Sequence, residues 1–402
     1  MKVLYISYDG ATDPLGRAQV LPYLGGLRRE GFGFTLLSFE KPQALRMEGE
    51  RVRGLLDAEG IRWVPLVYHK APRVPATLYD MLAGVMAGSR LVRRHGIDMI
   101  HARSYIAAGI AYVLKRLHGV PFLFDMRGLW VDERVEGRLW PQDSVLYRTG
   151  KRWEQRLLGA ADAVVILTER GRQAISGLDC LRGQAEKVTV IPTCVDLARF
   201  VADLPHPADQ GMGCTFVYSG SLGTWYGLEE MLDFFLEARR RISAVRFLLL
   251  TSDPEYPVTS LLEPRGLRDG SVEVATAGYE DVPRWLAGAD VLVYFTRMGY
   301  SRQACCPAKF GEALACGLPI LTNEGIGDMD EIVEQEKVGY IVRGLQTEEY
   351  GRAALAVRDL LAEGPTLRWR CRDVARRYFS LEEGIRRYAG VYKGLAGRRG
   401  LR

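Results

Sequence analysis

Lys309 and Glu312 are the two residues of this sequence whose types and spacing most directly suggest chemistry. They belong to a segment, 306–320, in which Phe310 and Leu314 supply an apolar side. Residues three apart lie on one helix face, so the ammonium and the carboxylate would point the same way. Because a helix N-terminus favours anions, Lys309 suits a diphosphate and Glu312 suits sugar hydroxyls. The same pattern also describes an ordinary amphipathic helix with a surface salt bridge.

The elements around this pair indicate where such a site would lie. Gly317 predicts the end of the helix, and a strand is predicted directly after it. Apolar strands alternate with helical patterns along the whole chain, which predicts α/β domains with parallel, doubly wound sheets. Ligands of such sheets bind beyond the carboxyl ends of the strands. The predicted strands are 3–7, 34–39, 61–67, 97–100, 120–124, 163–167, 187–191, 214–219, 245–250, 271–275, 291–295, 319–322 and 339–342.

The composition changes at 201–213, where Pro, Asp, Gly and Gln accumulate, and this predicts a linker. We therefore expect a Rossmann-like domain over 1–200, a second one over 201–378, and a C-terminal helix within 379–402. Two halves of similar size suggest two such domains facing one cleft. Neither half contains the G-x-G-x-x-G fingerprint of a dinucleotide site.

Polar side chains follow several predicted strands of the first domain. Asp125 is placed either to accept a proton from an attacking hydroxyl, or to cap a helix or pair with an arginine. His101 either faces the cleft or is a structural histidine bonded to backbone. The residues expected to line the cleft on this side are Gly16, Arg17, His101, Arg103, Asp125 and Arg127.

Composition restricts the class of protein. The 402 residues carry a net charge of +5, which fits anionic substrates but is not clustered into the basic stripe of a nucleic-acid-binding protein. Seven cysteines without a C-x-x-C pair and five histidines without ligand spacing predict a reduced, cytoplasmic protein without a metal. No signal peptide opens the sequence, and no apolar run approaches the roughly 20 residues that span a bilayer. The stretch 68–73 predicts either contact with the inner face of the plasma membrane or a solvated surface.

The second half resembles the donor-nucleotide domain of the family-4 glycosyltransferases, which have the GT-B fold. Five pieces match in order, and they are 218–223, 289–293, 309–319, 325–333 and 338–342. In the first half, the loop with Gly16 looks like the family's glycine loop. The segment 125–134 looks like a pattern of a bacterial subgroup that builds surface polysaccharides. The resemblance implies that the last helix packs back on the first domain.

The sequence departs from the family pattern at three positions. The family carries two glutamates eight residues apart, and Glu312 matches the second, which binds the nucleotide ribose; Ala304 stands at the first. Ser221 and Tyr226 stand where the family often has Arg and Lys for the diphosphate. We therefore expect the diphosphate to be met by nearby cations and by backbone N–H groups of 220–223 and 306–308. The nearest cations are Arg297, Arg302 and Lys309.

The resemblance implies a retaining transfer of a sugar from a nucleotide diphosphate sugar to a hydroxyl of a polysaccharide or lipid-linked oligosaccharide, with no metal or other cofactor. Two alternatives stay open: a sugar-nucleotide 2-epimerase or hydrolase of the same fold, and a non-catalytic sugar-nucleotide-binding protein. The predicted catalytic residues are Asp125, Lys309 and Arg302. The predicted donor-binding residues are Gly220, Ser221, Leu222, Gly223, Tyr279, Lys309, Phe310 and Glu312.

Overall fold

The computed structural model describes residues 1–200, 213–223, 225–251, 253, 256–278 and 280–398. The predicted linker lies almost entirely outside these residues, and so does Tyr279. Contacts divide the chain into two compact units. The first comprises Met1–Pro192 and the segment that begins at Leu381, and the second comprises Thr193–Ser380. The predicted domain limits at 200 and 378 therefore differ from the observed limits at 192 and 380.

The first unit is built on a sheet of seven parallel strands in the order β3-β2-β1-β4-β5-β6-β7. The strands are β1 (Lys2–Ser7), β2 (Gly33–Glu40), β3 (Arg62–Val67), β4 (Met99–Arg103), β5 (Phe122–Asp125), β6 (Ala163–Ile166) and β7 (Val188–Val190). Val3, Leu4 and Ile6 of the interior strand β1 are fully buried. Such continuous apolar runs are expected where helices cover both faces of a parallel sheet. The prediction of a doubly wound sheet is confirmed.

Eight helices of the first unit follow its strands along the described chain. They are α1 (Pro14–Gln19), α2 (Leu21–Arg29), α3 (Pro42–Ala58), α4 (Arg73–His95), α5 (Ser104–His118), α6 (Trp130–Glu136), α7 (Val145–Ala160) and α8 (Glu169–Ser176). Two local predictions are wrong. Gly16 and Arg17 belong to α1 rather than to a loop, because Pro14 starts a helical turn there. His101 and Arg103 lie within β4 rather than after it.

The second unit has a sheet of six parallel strands in the order β10-β9-β8-β11-β12-β13. The strands are β8 (Cys214–Ser219), β9 (Val245–Leu250), β10 (Val272–Ala275), β11 (Val291–Tyr294), β12 (Ile320–Asn323) and β13 (Gly339–Val342). The helices are α9 (Leu197–Phe200), α10 (Leu228–Arg241), α11 (Val258–Leu262), α12 (Val282–Ala287), α13 (Ala308–Ala315), α14 (Met329–Glu336), α15 (Thr347–Leu361) and α16 (Pro365–Phe379). The order places the carboxyl ends of β8 and β11 side by side.

The last helix, α17 (Leu381–Arg398), is part of the first unit and packs against α2. The sequence indicates helical structure from about residue 346 to near the end, with a C-terminal helix within 379–402, and the structure has three helices there. The breaks fall before Pro365, which cannot continue a preceding helix, and at Ser380, whose backbone is extended. The third helix thereby leaves the second unit and returns to the first.

Candidate active site

Helix α13 carries the Lys309–Glu312 pair, and its ends follow from the sequence as predicted. It begins after Pro307 and ends before Gly317, whose φ of +84° is in the left-handed region. The Leu318 N–H then donates to the Ala313 carbonyl at 2.9 Å, as in a glycine-capped helix end. Because α13 connects β11 to β12 in a parallel sheet, its N-terminus lies at the carboxyl end of the strands.

The Lys309 ammonium lies within a cage of three tyrosines. Its Nζ is 4.7 Å from the ring centroid of each of Tyr218, Tyr226 and Tyr294. Tyr218 and Tyr294 come from the adjacent strands β8 and β11, and Tyr226 comes from the loop before α10. Aromatic faces attract cations, so the rings hold the ammonium in place without neutralising it. Within the described part of the chain no carboxylate forms an ion pair with Lys309, so the alternative of a surface salt bridge with Glu312 is not realised.

Gly220 is the residue that lets Lys309 reach this position. A Cβ atom added to Gly220 would lie 2.5 Å from the Lys309 Nζ, and the backbone there has a φ of +143°. The conformation therefore favours glycine, and a larger residue would displace the Lys309 ammonium. Gly223 also has a positive φ, +106°, but an added Cβ there would meet only Tyr256, at 3.5 Å. The loop after β8 thus contributes to the site by leaving room for a cation.

Burial is the main electrostatic influence on both charged residues of α13. It lowers the pKa of Lys309 to about 7, although the nearby Glu312 opposes this shift. It also raises the pKa of the Glu312 carboxyl, against the opposing charges of Lys309 and Arg199. A desolvated ammonium without an ion-pair partner gains strongly from a bound anion. The arrangement is suited to a phosphate group.

Arg302 supplies a second cation near the cage. It lies on a 3-10 turn, Tyr300–Ala304, with its guanidinium 4.7 Å from the Trp225 ring centroid. Its side chain is 7% exposed and contacts the Ser301 hydroxyl. Ala304, which stands where the related family has its first glutamate, is fully buried. A carboxylate at that position would be buried, and a buried carboxylate is tolerated only when it is paired or hydrogen-bonded.

The other predicted donor-binding residues make hydrogen bonds or ring contacts within the second unit. The N–H of Gly220 donates to Leu250 and that of Leu222 donates to Asp253 Oδ2, at 2.9 and 2.7 Å, so these two groups are already used. The Ser221 carbonyl accepts the Tyr218 hydroxyl at 2.6 Å. Phe310 is fully buried, and its ring centroid is 5.0 Å from that of Tyr294. Phe310 therefore packs against Tyr294, one of the three tyrosines around Lys309.

Asp125 and His101 of the first unit are buried in a network with α17. Asp125 is 1% exposed, and its Oδ2 accepts the Tyr388 hydroxyl at 3.1 Å. His101 Nε2 is 3.4 Å from the same oxygen, and its Nδ1 is 2.6 Å from the Tyr392 hydroxyl. Burial lowers the pKa of His101. The geometry favours a structural role for the pair, which is the alternative that the sequence left open.

The charges around Asp125 disfavour it as a general base. Burial raises the pKa of this carboxyl, but Arg127, His101 and Arg103 outweigh that effect, and the net shift is downward. Its oxygens lie 3.8 Å from Arg127 Nη1 and 3.9 Å from Arg103 Nη1. A carboxylate held ionised among two guanidinium groups is a weak proton acceptor. This geometry favours the structural alternative for Asp125, and its role in activating the acceptor stays a prediction.

The carboxyl edge of the first sheet nevertheless retains features of a binding site. Three buried polar atoms there have no hydrogen-bond partner within the described residues, namely Arg17 Nε, Arg103 Nε and Asp125 Oδ1. Arg127 and Ser104, which follow β5 and β4, have φ angles of +59° and +69°. Unsatisfied buried groups and strained non-glycine residues concentrate at functional sites. Gly16 contributes close packing, since a Cβ there would lie 2.0 Å from the Gly10 carbonyl oxygen.

Sequence reasoning missed the residues that position these groups. Tyr218 and Tyr294 end apolar strands and read as ordinary strand residues, although a tyrosine at the carboxyl end of a buried strand is a usable signal. Glu40, the last residue of β2, is fully buried and accepts N–H bonds from Ala11 and Thr12 at 2.7 and 3.0 Å. Its carboxylate thereby fixes the loop after β1.

Comparison with known families agrees with this architecture. Residues 17–194 match the Glycosyl transferase 4-like domain, and residues 213–361 match the domain described as Glycosyl transferases group 1. The two matches together cover most of both units and define an enzyme of the GT-B class. The chain belongs to the GT-B glycosyltransferases that combine these two domains. No curated protein matches the sequence.

Solved structures show the same fold at low sequence identity. Sucrose-phosphate synthase from Thermosynechococcus elongatus is 17% identical with a TM-score of 0.71, and the match covers 99% of this chain and 100% of that one. Anabaena Alr3699/HepE in complex with UDP and glucose is 14% identical with a TM-score of 0.68, over 98% and 100%. A putative UDP-N-acetylglucosamine 2-epimerase from Listeria monocytogenes is 13% identical with a TM-score of 0.62, over 100% and 97%.

Proposed function

We propose that the protein transfers a sugar, with retention at the anomeric carbon, from a nucleotide diphosphate sugar to a hydroxyl of a bacterial polysaccharide or a lipid-linked oligosaccharide. The observation that carries the proposal is the geometry of the half-buried Lys309 ammonium. It lies at the N-terminus of α13, is held by three aromatic rings and has no carboxylate in ion-pair contact among the described residues. A site of this kind is suited to a diphosphate.

The chemical role of Lys309 follows from the charge that develops in the reaction. Departure of the sugar leaves negative charge on the diphosphate, and preorganised cations stabilise it most where water is excluded. Lys309 and Arg302 would supply that stabilisation, aided by the N-terminus of α13. Glu312, three residues further along the same helix face, would accept hydrogen bonds from the ribose hydroxyls. In this scheme the donor needs no metal, and activity should survive an excess of chelator.

The identity of the base is proposed from the structural relatives. The Anabaena protein has been solved with UDP and glucose and also with UDP-glucose. UDP-glucose is therefore the first donor to test here. Titration calorimetry with UDP-, GDP-, ADP- and CMP-sugars should reveal one donor class that binds in the micromolar range. Absence of binding by all four would contradict the proposal.

The acceptor side is proposed from the basic residues at the carboxyl edge of the first sheet. Arg17, Arg103 and Arg127 would meet an acceptor that carries phosphate, as a lipid-linked oligosaccharide does. Arg17 Nη1 is already 3.2 Å from Glu48, so its Nε is the atom left for a ligand. The proposed place of action is the cytoplasmic face of the inner membrane. No helix among the described residues is long and apolar enough to cross a bilayer.

A second candidate function is epimerisation of the sugar nucleotide. It is favoured by the fold shared with the Listeria protein and by Ala304 at the position of the missing glutamate. An epimerase or a hydrolase converts the donor in the absence of any acceptor hydroxyl, whereas a transferase requires one. A protein that only binds the donor gives neither product. Product analysis with and without an added glycan acceptor distinguishes the three.

A further inference from the structure

The solvent side of α4 carries an uninterrupted row of large apolar side chains. Val74, Leu78, Leu82 and Met86 follow one another every four residues and are 57, 56, 65 and 55% exposed. Tyr79, beside this row, is 60% exposed. Residues four apart lie on the same helix face, so these five side chains form one continuous surface, which we call the apolar stripe. Single exposed apolar residues are common, but a contiguous row is a mark of an interaction surface.

The inner side of α4 has the opposite composition. Ala76, Gly84 and Gly88 are buried there, and the helix packs against α5. A Cβ on Gly84 would lie 2.6 Å from Ile110 Cδ1, and one on Gly88 would lie 2.6 Å from Leu114 Cδ1. A typical surface helix turns its large apolar residues toward the core and its small or polar ones outward. The arrangement in α4 is reversed, so packing of the first unit does not account for the apolar stripe.

The charged residues of α4 are also divided between its buried and its exposed side. Asp80 is the one acidic residue in the helix, and it is fully buried, where it accepts hydrogen bonds from Tyr8 and from the His69 N–H at 2.9 and 3.1 Å. The exposed charges of the helix are all positive. They are Arg73, Arg90, Arg93 and Arg94, and Lys70 is exposed just before the helix. Arg90 and Arg94 continue the four-residue spacing of the apolar stripe.

We propose that the apolar stripe of α4 docks this protein on the surface of an anionic lipid bilayer. A helix with one apolar face flanked by arginine lies in the interface between headgroups and acyl chains, and its cations gain from anionic lipid. A second copy of the chain is a poorer occupant. Both ends of α4 carry exposed cations, so a symmetric pairing of two α4 helices would bring positive charges together whether the helices ran parallel or antiparallel. The bilayer supplies the negative charge that a second copy lacks.

The test is flotation of the full chain with lipid vesicles, without donor or acceptor. Wild-type protein should float with vesicles of phosphatidylcholine containing about one third phosphatidylglycerol, and much less with phosphatidylcholine alone. The double variant Leu78→Gln, Leu82→Gln should lower the bound fraction at least about tenfold, because each substitution removes the free energy gained when a leucine side chain moves from water into the bilayer. The variant Arg90→Gln, Arg94→Gln should lose about tenfold on anionic vesicles only. Raising the salt concentration should weaken binding of the wild type.

The control is Met47→Gln on α3, a side chain that is 74% exposed but lies next to Glu48 in sequence. It should bind vesicles like the wild type. Wild-type protein that does not float, or a leucine double variant that floats equally well, would overturn the proposal. A concentration-dependent dimer that the leucine variant abolishes, without vesicle binding, would assign the stripe to a second copy and also overturn it. Donor affinity of the variants is measured separately, so failure here is distinguishable from failure of the proposed transferase activity.

Discussion

At the scale of single residues, the structure explains why Lys309 differs from an ordinary surface lysine. Three tyrosine rings at 4.7 Å hold its ammonium without supplying a counter-charge. The sequence predicted the cation and its helix position, because α13 is marked by Pro307 and by Gly317. It did not predict the cage, because Tyr218, Tyr226 and Tyr294 are brought together by strand order and not by spacing along the chain.

The protonation of Lys309 leads to a prediction about pH. Burial lowers its pKa to about 7, so the free site is mostly charged below that pH and mostly neutral above it. A bound diphosphate favours the charged form, and binding should therefore take up a proton above pH 7. Affinity for the donor should fall by up to about tenfold per pH unit as pH rises from 7 toward 9. Calorimetry across this range measures it, and Lys309→Arg, which stays charged, should give a flatter profile. Equal slopes for the two proteins would contradict the prediction.

Glu312 permits a separate test of ribose binding. Glu312→Ala should weaken donor binding by about 10- to 100-fold, because hydrogen bonds to a charged acceptor contribute about 1.5–3 kcal/mol. Glu348→Ala, which removes an exposed glutamate in the first turn of α15, is the matched control and should bind like the wild type. Unchanged affinity of Glu312→Ala by calorimetry would remove Glu312 from the proposed donor site.

At the scale of elements, the loop after β8 offers a pair of matched substitutions. Gly220→Ala and Gly223→Ala both place a side chain at a positive φ, so both carry a backbone strain of about 1 kcal/mol. Only the Cβ of the first would displace Lys309. Gly220→Ala should therefore lower donor affinity at least about tenfold more than Gly223→Ala does. Similar affinities for the two variants would mean that the approach of Lys309 to this loop has no part in binding.

The contact of α17 with β4 and β5 leads to a prediction about stability. Tyr392→Phe leaves the buried His101 Nδ1 without its partner, which should cost about 1–3 kcal/mol in free energy of unfolding. Urea denaturation measures this, and Tyr79→Phe, at an exposed position on α4, serves as the control. If both variants unfold at the same urea concentration, the hydroxyl of Tyr392 has no structural role.

The alternation of strands and helices could be predicted for every strand of both sheets, because buried parallel strands are short apolar runs with turn residues between them. Helix α1 could not be predicted, because Pro14 and Gly16 are also typical of loops. The break before Pro365 could not be predicted for a related reason, since the residues around it continue a helical pattern, whereas the C-terminal helix within 379–402 could be predicted. The sequence does not decide between a catalytic and a structural role for Asp125, because the contact with Tyr388 on α17 is not evident from its own segment.

At the scale of the whole molecule, each of the two units contributes its own set of groups. The second unit holds the proposed donor site on α13. Among the described residues, the first unit has three buried polar atoms without a hydrogen-bond partner and two non-glycine residues with positive φ at the carboxyl edge of its sheet. Because Ala304 lacks the carboxylate of the family pattern, we propose that cations stabilise the leaving group. Lys309 is proposed to act on the departing diphosphate and not merely to attract the donor.

The most direct test compares turnover and binding in Lys309→Ala with those of the wild type. Transfer, or hydrolysis of the donor in the absence of acceptor, is followed with the donor that calorimetry identifies, and affinity for the matching nucleoside monophosphate is measured in parallel. We expect turnover to fall by about 100-fold or more, as it does when an active site loses one electrostatic donor. Affinity for the nucleoside monophosphate should change by less than about threefold. Equal losses in turnover and in nucleoside affinity would contradict the central role assigned to Lys309.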